Sequence, residues 1–121
     1  MRGFEGQKYL SLETYRRNGV GVRTPVWFAE ADKIYVYSTA DSGKAKRIRR
    51  DSAARIAPCD ARGNVTGDWI DVVAEFVSGA EYAMAMRLLD RKYFPWKQLL
   101  NFSAMLFRRR ERVVIAIRQR Q

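Results

Sequence analysis

Lys8-Tyr9-Leu10-Ser11-Leu12-Glu13-Thr14 alternates polar and apolar residues, and an Asn18-Gly19 pair follows it closely. Alternation is the period of a strand, and Asn-Gly favours the tight turn of a hairpin. A chain that opens this way is committed to antiparallel pairing. A second strand is predicted from Val20 to Ala29; it contains Pro25, which cannot donate to a ladder and so belongs at a sheet edge or a bulge. Asp32-Lys33 turns the chain into a third strand, Ile34 to Thr39. Ala54 to Cys59 and Trp69 to Val77 read as two more, separated by Arg62-Gly63-Asn64, and Val113 to Ile117 closes the series. Six strands joined mostly by hairpins point to an antiparallel barrel or strongly curled sheet with helices packed outside it.

Two helices interrupt the strands. Ser42-Gly43-Lys44-Ala45-Lys46-Arg47-Ile48-Arg49-Arg50 reads as a short basic helix ended by Asp51-Ser52, with Ala45 and Ile48 on one inward face. Cations in a first helical turn sit at the positive end of the macrodipole, so an anion is expected to belong there. Unpaired N–H groups and a Ser hydroxyl would help to hold it. A solvated basic helix is the bland alternative. Ser78-Gly79-Ala80-Glu81 has capping-box spacing, which predicts a helix to about Lys92 with Tyr82, Met86 and Leu89 in the core. Pro95 is expected to start a second helical piece toward Phe107.

The chain of 121 residues is read as one domain, spanning 1–121. Its formal charge of +10 calls for an anionic partner without specifying which. There is no histidine, which removes the commonest general base and metal ligand, and the single Cys59 cannot build a structural zinc site. No metal is expected. Cys59 itself reads as a small buried hydrophobe, since nothing is present to activate it. No apolar run approaches the roughly 20 residues of a membrane helix, and without a signal segment a cytoplasmic location is expected.

Thr24-Pro25-Val26-Trp27-Phe28, Tyr35-Val36, the basic helix and Ala57-Pro58-Cys59-Asp60-Ala61-Arg62-Gly63 occur in this order, with Arg91-Lys92-Tyr93 and the closing strand after them. Together they resemble the deazaflavin-dependent enzymes of the pyridoxamine phosphate oxidase-like, split β-barrel superfamily. The resemblance implies a mainly β protein, a six-stranded antiparallel split β-barrel of FMN-binding type with one short basic helix and a helical segment near the C-terminus. It further implies a homodimer with FMN or the deazaflavin F420 in grooves between protomers. By position, Ser42, Lys44, Lys46 and Arg47 become ligands of the cofactor phosphate or tail. Thr24, Pro25, Val26 and Trp27 become ring-side contacts, with Pro58 and Cys59 near the same groove. The surplus of cations suits the acidic tail of F420 better than the single phosphate of FMN.

The function this implies is an oxidoreductase that moves hydride to a small conjugated or quinone-like acceptor. Hydride chemistry belongs to the cofactor, so no protein nucleophile is required. No residue is assigned to proton transfer; a tyrosine, a lysine or solvent would serve. Two other readings stand beside it: a non-catalytic cofactor or tetrapyrrole (heme) carrier on the same barrel, and a nucleic-acid-binding module. The last is disfavoured, because the aromatics sit in strand and helix patterns and not among the basic stretches where bases could stack.

Overall fold

The computed structural model describes residues 1–93 and 111–120. The helical piece expected from Pro95 to Phe107 and the arginines 108–110 lie outside them. The first hairpin joins β1 (Tyr9–Tyr15) to β2 (Gly21–Trp27), with Tyr15 opposite Gly21 and Tyr9 opposite Trp27. Its turn is the three-residue kind. The Arg16 N–H bonds the Val20 carbonyl at 2.9 Å, the Gly19 N–H bonds the Arg16 carbonyl at 2.8 Å, and Gly19 takes a φ of 85°, where a glycine costs nothing.

Next come β3 (Ala29–Glu30), β4 (Ile34–Thr39), α1 (Gly43–Arg50), β5 (Ala53–Cys59), β6 (Ile70–Val77), α2 (Gly79–Tyr93) and β7 (Arg112–Gln119). The strands form one antiparallel sheet in the order β2-β1-β5-β6-β7-β4-β3. The two edges, β2 and β3, are consecutive in the chain. The expected single strand from Val20 to Ala29 is therefore two, giving seven strands where six were expected. Phe28 is the break: before it the chain pairs with β1, after it with β4, and this hand-over curls the sheet round on itself. Pro25 faces Ser11 in edge strand β2, as a residue without an N–H must.

Alternation along the strands sorts the core. Leu10, Leu12, Val26, Ile34, Val36, Ile56, Val72, Ile115 and Ile117 point inward with Phe4, Phe28 and Ile48. The opposite faces of β4 and β7 offer Tyr35, Val114 and Ala116, which pack under Ala85 of α2. On α2 the fully buried positions are Ala85, Leu89 and Tyr93, while Tyr82 and Met86 are only half-buried at its flank. The helix starts where the capping-box spacing puts it, but Glu81 does not close that box. Its carboxylate accepts from the Tyr35 hydroxyl at 2.7 Å and from Lys33 Nζ at 3.1 Å, tying α2 to β4. No described helix is long and apolar enough to cross a membrane.

The outer face of the first strands carries a buried carboxylate. Glu13, 4% exposed, accepts from Arg23 Nε at 2.8 Å on β2 and from Arg55 Nε at 3.0 Å on β5. Both guanidinium groups lie over the Trp69 ring, at 4.6 and 5.1 Å from its centroid. Burial pushes the Glu13 carboxyl up, but the hydrogen bonds it accepts outweigh that and hold it below its ordinary 4.5. A depressed folded value means that the unfolded chain binds more protons near and below pH 4.5. The stabilisation is thus complete above that range and is lost as pH falls through the folded value. Glu13→Gln is expected to cost about 1.5 kcal/mol at neutral pH. Urea melts repeated between neutral and acid pH should show a shallower acid decline for the variant than for the wild type.

Candidate functional site

The residues singled out in the sequence fall into two groups, one at each end of β1. At one end, Trp27 faces Tyr9, and Tyr9 faces Cys59 on its other side; Val26, Leu10 and Pro58 form the adjacent row. Pro58 tolerates its place in β5 because the pairing with β6 ends at Ile56. The turn after Cys59 folds back against the edge strand, so that a β-carbon added to Gly63 would lie 3.7 Å from Pro25 Cγ. Thr24 and Trp27 are half-buried and Pro25 is exposed, whereas Val26 is buried in the core and offers a ligand only its backbone. As the outermost of the described strands, β2 leaves one row of backbone groups without a partner among them. One face of Trp27 is covered by Tyr93, stacked at 4.7 Å and 9°. Cys59 is buried, and desolvation followed by the charge of Asp60 pushes its thiol up, so it is a poor nucleophile.

At the other end lies α1. Ser42 is its N-cap: the hydroxyl accepts the Ala45 N–H at 3.1 Å and sits 2.8 Å from Ser38 Oγ on β4. The Lys46 N–H is taken by the Ser42 carbonyl at 3.0 Å, which leaves the N–H groups of Gly43 and Lys44 at the helix start for an outside acceptor. No acidic residue occupies this first turn. Lys44 is half-buried, and desolvation, then the nearby Arg47 charge, lowers its pKa. It has no carboxylate partner among the described residues. Arg47 donates from Nε to Thr14 Oγ1 at 2.6 Å, and Lys46 is exposed.

The helix packs beside the first hairpin, and between them lies a cleft of about 540 Å³ lined by Arg16, Arg17, Lys46, Arg47, Arg49 and Arg50. The structure thus divides the four α1 residues. Ser42 and Lys44 stand at the helix start, Lys46 faces the cleft, and Arg47 lines the cleft while still influencing Lys44. Arg16, Arg17 and Thr14 joined this region only through hairpin register. Among the described residues no group of three His, Cys, Asp or Glu side chains is placed to hold a metal.

The two ends are well separated. Trp27 lies level with Tyr9, and Arg47 is anchored to Thr14 five residues along β1, about 16 Å at strand rise.

Known structures superpose on nearly the whole chain. A conserved hypothetical protein from Mycobacterium tuberculosis is 22% identical, with a TM-score of 0.71 over 98% of this chain and 77% of that one. A candidate pyridoxamine 5'-phosphate oxidase from Listeria innocua is 16% identical, with a TM-score of 0.65 over 98% and 88%. The fold is the pyridoxamine phosphate oxidase-like split barrel. The same split barrel occurs in a heme binding protein from Mycobacterium smegmatis, 17% identical, with a TM-score of 0.65 over 94% of this chain and 47% of that one. No protein-family model and no curated protein matches the chain. At such identities the likeness extends to the split-barrel fold and no further.

Proposed function

We propose that this split barrel is a flavin-type oxidoreductase that binds FMN or the deazaflavin F420 in a groove between two protomers and reduces a small conjugated or quinone-like acceptor. The observation that carries this reading is Lys44, a half-buried cation that, among the described residues, has no carboxylate partner and stands beside two helix-start N–H groups without an acceptor. A desolvated ammonium next to Arg47 is costly, and a cofactor phosphate would relieve the cost while accepting those N–H groups. The donor set fits a phosphate: Gly43 and Lys44 N–H, the Lys44 ammonium, and the Ser42 hydroxyl, whose proton turns outward when Ser38 is the donor in the bond between the two serines.

The separation of the two residue groups favours a dimer. A groove shared by two copies could set the β2 edge of one beside α1 of the other, which a single copy does not do. Bound there, the cofactor would supply hydride chemistry. The protein would contribute the phosphate cradle, the apolar surround of Trp27, and the unpaired backbone edge of β2. A cytoplasmic location would suit such chemistry.

The structural neighbours support a heme carrier as readily as a flavin enzyme. Residue chemistry separates the two. The chain has no histidine, and its one thiol is buried and pushed up, so the commonest protein anchors of heme iron are missing or protonated. The test is a titration of FMN and of F420, followed by quenching of tryptophan fluorescence. Saturable binding is expected. Lys44→Ala should weaken it by about 30-fold, the equivalent of about 2 kcal/mol for one charge-assisted contact. Wild-type protein that saturates with neither cofactor, or that instead gives a tight heme complex, would remove this reading.

A further inference from the structure

The cleft between the hairpin and α1 is not accounted for by a phosphate at the helix start. Its six lining residues are all cationic, and five of them are arginines. None forms an ion pair with any described carboxylate. Their fixed contacts are to neutral groups: Arg47 to Thr14 Oγ1, Arg50 to the Tyr15 carbonyl at 2.5 Å, and Arg49 over the Phe76 ring at 5.3 Å. The cations also disturb one another, since desolvation, then Arg16, lowers the pKa of Arg47. Such a concentration of like charge works against folding unless a ligand offsets it.

We infer that this cleft is a second anion site, which takes a short chain of linked phosphates such as tripolyphosphate. A single phosphate group brings a charge of about −2, too little for six cations, whereas linked phosphates bring roughly twice that or more within a few ångströms. Arginine forks match phosphate oxygens two at a time. A glutamate-rich peptide spreads its charges along about 3.3 Å of chain per residue and on long side chains, whereas linked phosphates concentrate them on one cluster of cations. Among the described residues no aromatic ring lines the cleft, so it offers no stacking platform for single-stranded nucleic acid.

The test uses the full chain and titration calorimetry at about 50 mM salt, where phosphate contacts are strongest. Tripolyphosphate is expected to bind saturably, at least about tenfold tighter than orthophosphate, with affinity falling as salt rises. The Arg16→Ala/Arg17→Ala double variant changes only exposed hairpin residues away from the helix start. It should weaken tripolyphosphate by about 30-fold or more while its thermal midpoint does not fall and its FMN titration stays at wild type. Equal binding of orthophosphate, retention of tripolyphosphate affinity in the double variant, or tighter binding of a hexaglutamate peptide or a DNA duplex would each overturn the assignment. The FMN titration is read separately, so loss of one site does not stand for loss of the other.

Discussion

Phe28→Ala is expected to lower the free energy of unfolding by about 4 kcal/mol, the upper part of the range for emptying a buried aromatic site. Phe28 is 1% exposed and meets Phe4 edge-on, with ring centroids 5.9 Å apart at 87°. The Lys92 ammonium lies over its face, 3.6 Å from the centroid, and desolvation there lowers the lysine pKa to about 8. Few neighbours can collapse into the space, because Phe28 is the residue at which the chain passes from one sheet edge to the other. Cavity and closure are therefore lost together. Urea denaturation read by circular dichroism should give a lower midpoint, and a lower slope as well if the β2 and β3 edges separate in the folded state. A cost below about 1.5 kcal/mol would show that closure depends on something other than this side chain.

Tyr93→Phe removes a single oxygen yet is expected to cost about 3 kcal/mol, because the groups left behind are buried. The hydroxyl accepts the Phe28 N–H at 2.9 Å and shares its own proton between the carbonyls of Lys8 at 2.6 Å and Phe28 at 2.7 Å. These are the backbone groups freed where the strand breaks, so the tyrosine substitutes for a missing ladder. Burial pushes its phenol well up, and the bond persists across the ordinary pH range. Equilibrium unfolding of Tyr93→Phe beside Phe28→Ala and the double variant tests the arrangement. The two residues touch, so the costs should be less than additive. Full additivity would mean that the hydroxyl and the ring stabilise separate parts of the fold.

Much of the architecture is legible in the sequence wherever the cause is local. Alternation in residues 8–14 and 34–39 marks both the strands and their faces. Pro25 announces an edge because it lacks an N–H, and Ser42 announces a helix start because its hydroxyl reaches a neighbouring backbone donor. Ala45 and Ile48, the apolar pair of the basic helix, are the ones buried. Other positions read less directly. Glu81 has the spacing of a cap but bonds across to Tyr35 and Lys33, a choice that local spacing cannot reveal. Tyr82 and Met86 share the helical period with Leu89, yet the narrow strip under α2 has room to bury only Ala85, Leu89 and Tyr93 fully.

The candidate site divides along the same line. By itself the sequence determined which residues could serve an anion, the crowd of cations at α1 and the serine before them, and it removed histidine as a general base or metal ligand. Tertiary structure alone decided how those residues are grouped. The hairpin register carried Arg16 and Arg17 to the flank of α1 and made a cleft of them, while the length of β1 held the Trp27 end away from the helix. Periods, caps and turns are set within a few residues of chain, so they survive in the sequence. Strand order and the break at Phe28 depend on pairings between distant segments, whose energies exist only once the sheet has closed.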